Sequence, residues 1–202
     1  MTTDSDIFLQ TPREKLCMTG GIVRRGDRVT LRVLEQDDFD ILQRGGADPS
    51  LRHLAGNSKV RNRSQIEEIY DDEAVTVFVV TLADDADPGP VNSTEVQRIG
   101  IASVKEWGRN PSVGIWILPE MQSKGYGTEA SVLLVDYAFN VYETPTVKAK
   151  AFDYNDSSRR LLESLGFESE GRLRKDAFID GEYRDAIVYG VLREEWEFVD
   201  TN

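Results

Sequence analysis

Ile115-Trp116-Ile117-Leu118-Pro119-Glu120-Met121-Gln122-Ser123-Lys124-Gly125-Tyr126-Gly127-Thr128 is the stretch on which the reading of this chain turns. An apolar strand runs into a turn with two glycines, and the periodicity beyond it predicts a helix from about Glu129 to Asn140. Such a succession presents several backbone N–H donors to a phosphate group. Gly125 and Gly127 allow close approach and, where needed, positive φ, and the helix aims the positive end of its dipole at the same point. Two phosphate motifs are excluded. The G-x-x-x-x-G-K-[ST] spacing is absent, and the G-x-G-x-x-G pattern fails at Ala130, with no acidic strand end about twenty residues on. On these residues alone, a tight strand-to-helix connection without a ligand is the commoner meaning of two glycines before a helix.

Working outward, 202 residues with 40% hydrophobic content suffice for one domain with a real core. No apolar run approaches bilayer length, and the first residues lack the basic-then-apolar pattern of a signal peptide, so a cytoplasmic location is expected, with no membrane partner. Cys17 is the one cysteine and cannot form an internal disulfide, which suits a reducing compartment. It sits in a segment without periodic structure, a poor setting for covalent catalysis. The one histidine, His53, provides neither a metal cluster nor a triad, and no role is assigned to it. A net charge of −12 with no basic patch argues against nucleic acid. The same acidity fits a salt-adapted proteome, an ordinary acidic soluble protein or a cationic substrate.

Residues 1–26 read as an N-terminal arm, partly ordered or lying on a partner subunit, before a domain over 27–199. Strands are expected at 29–34, 75–82, 98–106, 112–118, 147–152, 167–173 and 184–192, and helices at 38–44, 49–54, 64–72 and 156–165 besides the one after the glycine turn. Asp48-Pro49 starts the second helix, Ser64 with Glu67 has capping-box spacing, and Gly166 ends the last helix. Residues 83–95 form a long acidic connection, expected to be mobile. Asp180-Gly181 marks a turn between the two final strands.

That order resembles the GNAT acetyltransferase family over about 27–197. Gln122, Gly125 and Gly127 match its Q/R-x-x-G-x-G/A motif. Asn155-Asp156-Ser157-Ser158 with Leu161, Leu162 and Leu165-Gly166-Phe167 is similar to the N-x-x-S…L-G-F helix of the branch containing the ribosomal-protein N-terminal (alanine/serine) acetyltransferases. Gly181-Glu182-Tyr183-Arg184-Asp185, with Tyr189 and Glu195-Trp196, resembles that branch's closing strands, and Arg32 and Asp48-Pro49 fit it as well. The resemblance implies an α+β GNAT fold: a mixed, mostly antiparallel sheet of about seven strands with helices on both faces, splayed where acetyl-coenzyme A (acetyl-CoA) binds. It implies transfer of the acetyl group to a primary amine by direct attack, the amine being a protein N-terminus or a small cationic molecule. A non-catalytic acyl-CoA binding or sensing protein with the same fold is the alternative. Homodimers are common in such folds.

For the cofactor, the resemblance points to Ile117, Leu118, Gln122, Ser123, Lys124, Gly125, Tyr126, Gly127, Thr128, Asn155 and Ser158. Asn155 either bonds the pantetheine arm or caps its helix, and the two are compatible. Ser158 could protonate the leaving thiolate; other members place a tyrosine four residues on, where this chain has Leu162, so Ser158, Tyr154 or water is left as the acid. For the base, a carboxylate acting through water, Glu106 is the first choice and Asp176 the second, though either also reads as a solvated surface acid. Trp107, Trp116 and Phe178 are expected either to wall the amine pocket or to pack in the core. No metal is implied.

Overall fold

The computed structural model describes residues 17–56, 60–70, 72–83, 88–92 and 94–197; residues 1–16 of the arm, parts of the acidic connection and the last residues lie outside them. In chain order the strands are β1 (Met18–Thr19), β2 (Ile22–Arg25), β3 (Val29–Val33), β4 (Val75–Leu82), β5 (Val91–Asn92), β6 (Arg98–Trp107), β7 (Asn110–Ile117), β8 (Thr146–Phe152), β9 (Glu168–Ile179) and β10 (Glu182–Leu192). The helices are α1 (Phe39–Ala47), α2 (Pro49–Leu54), α3 (Arg63–Tyr70), α4 (Tyr126–Val141) and α5 (Asp156–Ser164). One sheet carries eight strands in the order β2-β3-β4-β6-β7-β8-β10-β9, all antiparallel except β7 with β8.

The expected seven strands are present, and the eighth comes from the arm. Ile22–Arg25 pairs with β3 as an edge strand, interrupted by an irregularity between Ile22 and Arg24 that breaks the alternation a strand would show. Met18–Thr19 pairs with Val91–Asn92 inside the acidic connection. The described part of the arm, from residue 17, is therefore tied to the domain. Thr19 Oγ1 donates to the buried Asp38 carboxylate at 2.6 Å, which also takes the Glu35 N–H and the Arg98 guanidinium.

Local chemistry sets the element ends. Asp48 Oδ1 accepts the Ser50 and Leu51 N–H groups with Pro49 at the first helical position, as expected. The capping box of α3 lies two residues earlier than the Ser64–Glu67 spacing suggested: Asn62 Oδ1 accepts Gln65 N and Gln65 Oε1 accepts Asn62 N, both at 3.0 Å. Asp180 (φ 50°) and Gly181 (φ 88°) close the β9–β10 hairpin with both central residues at positive φ.

Helices cover both faces. The Trp116 ring lies under α1, where a Cβ on Gly45 would come within 2.4 Å of it, while the neighbouring Ile117 points the other way, against Gly127 of α4. The core lies between, with Leu31, Phe39, Val79, Ile99, Leu133 and Val147 all essentially buried. Each such side chain contributes about 1.5–3 kcal/mol relative to exposure.

Candidate active site

The parallel pair β7–β8 is registered at two positions only, Ser112 with Lys148 and Val113 with Ala149. Beyond them β7 continues to Ile117 beside β6, and β8 to Phe152 beside β10, so the two strands part. Leu118 N donates to Ile99 O, so the alternation of the ladder turns the backbone groups of Gly114 and Trp116 to β6 and those of Ile115 and Ile117 to the opening. Gln122 Nε2 donates to Ile117 O at 2.8 Å and fixes the end of that strand. A cleft of about 730 Å³ fills the gap.

The glycine turn lies at one end of the cleft. Ser123 (φ 60°) and Gly125 (φ 83°) both take the left-handed conformation, and Gly125 is the N-cap of α4, which starts at Tyr126, three residues before the expected Glu129. The N–H groups of Tyr126, Gly127 and Thr128 have no backbone acceptor among the described residues. Ile117, Gln122, Ser123, Gly125, Gly127 and Thr128 line the cleft. Leu118 is not on its lining; its side chain is buried in the core. Lys124 is exposed with Nζ against Met121 Sδ, and Tyr126 lies beneath the Arg28 guanidinium.

The opposite wall is α5 and the residues before it. Asn155 lines the cleft: Oδ1 accepts the Ser158 N–H at 3.1 Å and the Ser157 hydroxyl at 2.8 Å, and Nδ2 donates to Leu54 O. The helix cap expected of it is present, joined to a tie that holds α2 over the cleft, and the second Nδ2 hydrogen is left for the compatible pantetheine bond. Ser158 is half-buried and faces the same space, its hydroxyl without a partner among the described residues. Tyr154 is turned away from this role. Its hydroxyl donates to the His53 carbonyl, and burial raises its pKa, keeping it a donor.

Between Leu173↔Ala186 and Ala177↔Arg184 the β9 strand holds two residues more than β10, and Lys175 takes φ 53° at this bulge. The bulge carries Asp176 into the cleft, where its carboxylate lies 2.8 Å from Lys150 Nζ. Glu106 is not brought to the site. It stands exposed near the tip of the β6–β7 hairpin, paired with Pro111, and neither it nor Trp107 lines the cleft. Trp116 does line it; Phe178 stands outside, edge-on to Tyr183 at the exposed β9–β10 tip. Lys150 and Asp176 are the charged residues on the cleft wall among those described.

Several contributors escaped the sequence reading. Leu51, Leu54, Ala55 and Gly56 of the α2 region roof the cleft, and Gly56 lets the chain lie against the Phe152 ring. Asp185 Oδ1 accepts Lys175 N at 2.7 Å and its Oδ2 pairs with Arg172, bracing the bulge. His53 Nδ1 meets Asp180 Oδ2 at 2.6 Å, linking α2 to the hairpin tip. No sequence spacing announces such long-range pairs; the Gly181–Asp185 motif was the one local hint. Among the described residues no group of three or more metal-ligating side chains gathers, and no helix is long and apolar enough to cross a membrane.

A strand with unpaired backbone groups, an apolar slot and a set of free N–H donors at a helix N-terminus make up the cleft, and the fold and site are those of an acyltransferase. The chain belongs to the GNAT acetyltransferase family: residues 28–168 match the family profile described as "Acetyltransferase (GNAT) domain". It is similar to the "Putative ribosomal N-acetyltransferase YdaF" of Bacillus subtilis, 33% identical over 99 residues, a match spanning 49% of this chain and 54% of that protein. It is similar to the spermidine N(1)-acetyltransferase of Escherichia coli K12, 27% identical over 172 residues, covering 83% of this chain and 88% of that one. Among solved structures it resembles the spermidine N-acetyltransferase of Vibrio cholerae in complex with CoA and spermine, with TM-score 0.72 and 25% identity, covering 83% and 96% of the two chains.

Proposed function

We propose that this protein acetylates the α-amino group of a polypeptide, drawing the acetyl group from acetyl-CoA. The observation that carries the choice of amine is the charge of the cleft: its one carboxylate among the described residues, Asp176, is paired with Lys150. A polyamine brings several positive charges that such a wall leaves unmatched. An α-amino group, with a pKa of about 7.7–8.0 rather than the roughly 10.4 of an alkylamine, also needs less help to lose its proton.

Acetyl-CoA supplies an acyl carbon activated as a thioester. The N–H groups facing the opening from Ile115 and Ile117 hold the pantetheine arm and carbonyl in place, and they stabilise the negative charge that grows on the carbonyl oxygen. Asp176, through water, takes the proton shed by the amine as the new C–N bond forms. Ser158 gives its hydroxyl proton to the sulfur as the C–S bond breaks and regains one from solvent. Leu54 and Phe152 keep bulk water from the thioester.

The test incubates the protein with acetyl-CoA and, separately, peptides with free N-termini, spermidine and spermine, measuring thiol release and the acetyl mass shift. Peptide acetylation supports the proposal. Turnover of polyamines alone, the reaction in the names of the E. coli and V. cholerae relatives, moves the acceptor to that class. Binding of acetyl-CoA with no acceptor-dependent thiol release favours a sensor.

A further inference from the structure

Arg28 stands in the turn between β2 and β3, yet its side chain reaches the glycine turn about a hundred residues away. Its Nη1 donates to Lys124 O at 3.0 Å and its Nε to Glu129 Oε2 at 3.0 Å. The guanidinium carbon lies 5.5 Å from the centre of the Tyr126 ring, and a Cβ on Gly125 would come within 2.9 Å of Nη2. The guanidinium thus occupies the hollow left by the missing Gly125 side chain, at the first turn of α4. Glu129 anchors it there, its other oxygen accepting the Arg28 and Val29 N–H groups at 2.7 and 3.1 Å.

A brace alone would use Nε and Nη1 and bury the rest. Instead the Arg28 side chain is 54% exposed, and Nη2 has no acceptor among the described residues. Beside it Lys124 carries a second positive charge whose contact is a thioether, so Arg28, Lys124 and Glu129 together leave the helix N-terminus net positive. The amide of Gln122, another polar side chain of this turn, is spent on Ile117 O. The guanidinium donor left over at the Gly125 N-cap, Nη2, therefore comes from outside the glycine motif.

We infer that Arg28 is a coenzyme A-binding residue whose Nη2 bonds the diphosphate held at the α4 N-terminus, an inference that rests on the acetyl-CoA reading above. A guanidinium suits this place because, with Nε and Nη1 anchored, its rigid plane still presents the Nη2 donors and keeps its charge at every physiological pH.

Isothermal titration calorimetry of the full chain with coenzyme A and with dephospho-coenzyme A, which lacks the 3′-phosphate, tests it at several salt concentrations. Arg28→Ala should weaken both ligands alike by roughly tenfold or more, as loss of a charged phosphate contact demands. Its affinity should also depend less on salt than that of the wild type. Arg28→Lys, which keeps the charge without the fork, should fall between the two and guards against a misfolded alanine variant. Affinity in Arg28→Ala within about twofold of wild type overturns the inference. So does a weakening confined to coenzyme A, which assigns Arg28 to the 3′-phosphate. A weakening with the wild-type salt dependence, reproduced by Glu129→Gln, reduces Arg28 to a brace and also overturns it. A wild-type protein that fails to bind coenzyme A sinks the cofactor reading itself, a result distinct from any of these.

Discussion

Asp185 Oδ1 accepts the Lys175 N–H at 2.7 Å, and that bond holds the β9 bulge from which Asp176 enters the cleft. The Lys175 N–H, and after it the Arg172 guanidinium, hold the Asp185 pKa below the ordinary carboxylate value. Because the folded pKa is lowered, the brace is intact above the unfolded value of about 3.9 and is lost as pH falls through the lower folded value. At neutral pH, Asp185→Ala should therefore act as acid does on the wild type. It should lower kcat more than it lowers the melting temperature, because Asp176 moves while the sheet survives. Steady-state kinetics beside thermal unfolding read the difference, and unchanged kcat refutes the coupling.

The choice between two carboxylates is open to direct measurement. Asp176→Asn should reduce kcat and kcat/KM by about 10²–10⁴-fold, the usual worth of a general base. Glu106→Gln, exposed and away from the cleft, should leave both unchanged. The reverse pattern would restore Glu106 as the base.

Ser158→Ala should cost kcat within the same range of about 10²–10⁴-fold while leaving the KM for acetyl-CoA near the wild-type value. If the leaving sulfur draws its proton from water instead, the variant keeps its rate. An acetyl donor with a more acidic thiol should shrink the defect, since it needs no acid.

Gln122→Ala removes the 2.8 Å bond to Ile117 O and frees the end of β7. Loss of one neutral hydrogen bond, worth about 1 kcal/mol, predicts a roughly fivefold rise in the KM for acetyl-CoA with kcat little changed. A fall in kcat at constant KM would show that the strand end positions the reacting carbonyl.

Asp38 tests the tie between arm and domain. Burial raises its pKa, against the Thr19 hydroxyl, the Glu35 N–H and Arg98, which favour the charged form. With the folded value raised, its contribution to stability is full below about pH 3.9 and declines as pH rises through the folded pKa. The stability difference between wild type and Asp38→Asn, from urea unfolding at several pH values, should thus shrink as pH rises from 4 to 7. A difference that grows over that interval contradicts the assignment.

Much of the site was legible because its chemistry is local. The glycine turn, the Asp48-Pro49 start, the Asn155 cap and the Asp180-Gly181 hairpin each depend on residues a few positions apart, so spacing carries them. What spacing could not carry is register. Asp176 and Glu106 look alike along the chain, and only the bulge, set by how β10 pairs with β9, sends one inward. The α3 cap slipped by two residues because Asn62 and Gln65 outcompete Ser64 and Glu67 for the same geometry. Strand β2 stayed hidden because the irregularity between Ile22 and Arg24 erases its alternation, and the reach from Arg28 to Glu129 has no local signature.

The parting of β7 from β8 after two registered pairs has a thermodynamic consequence for the protein's life in a cell. The free chain carries backbone groups midway through its sheet that wait for a partner from outside, and on the function proposed above acetyl-CoA would be the strand that completes the fabric. Amide exchange at Ile115 and Ile117 should slow on binding, and the folded population should rise with free acetyl-CoA by mass action. A catalyst built this way would be protected from unfolding and proteolysis in proportion to its own acyl donor, which would tie its abundance to the supply it consumes.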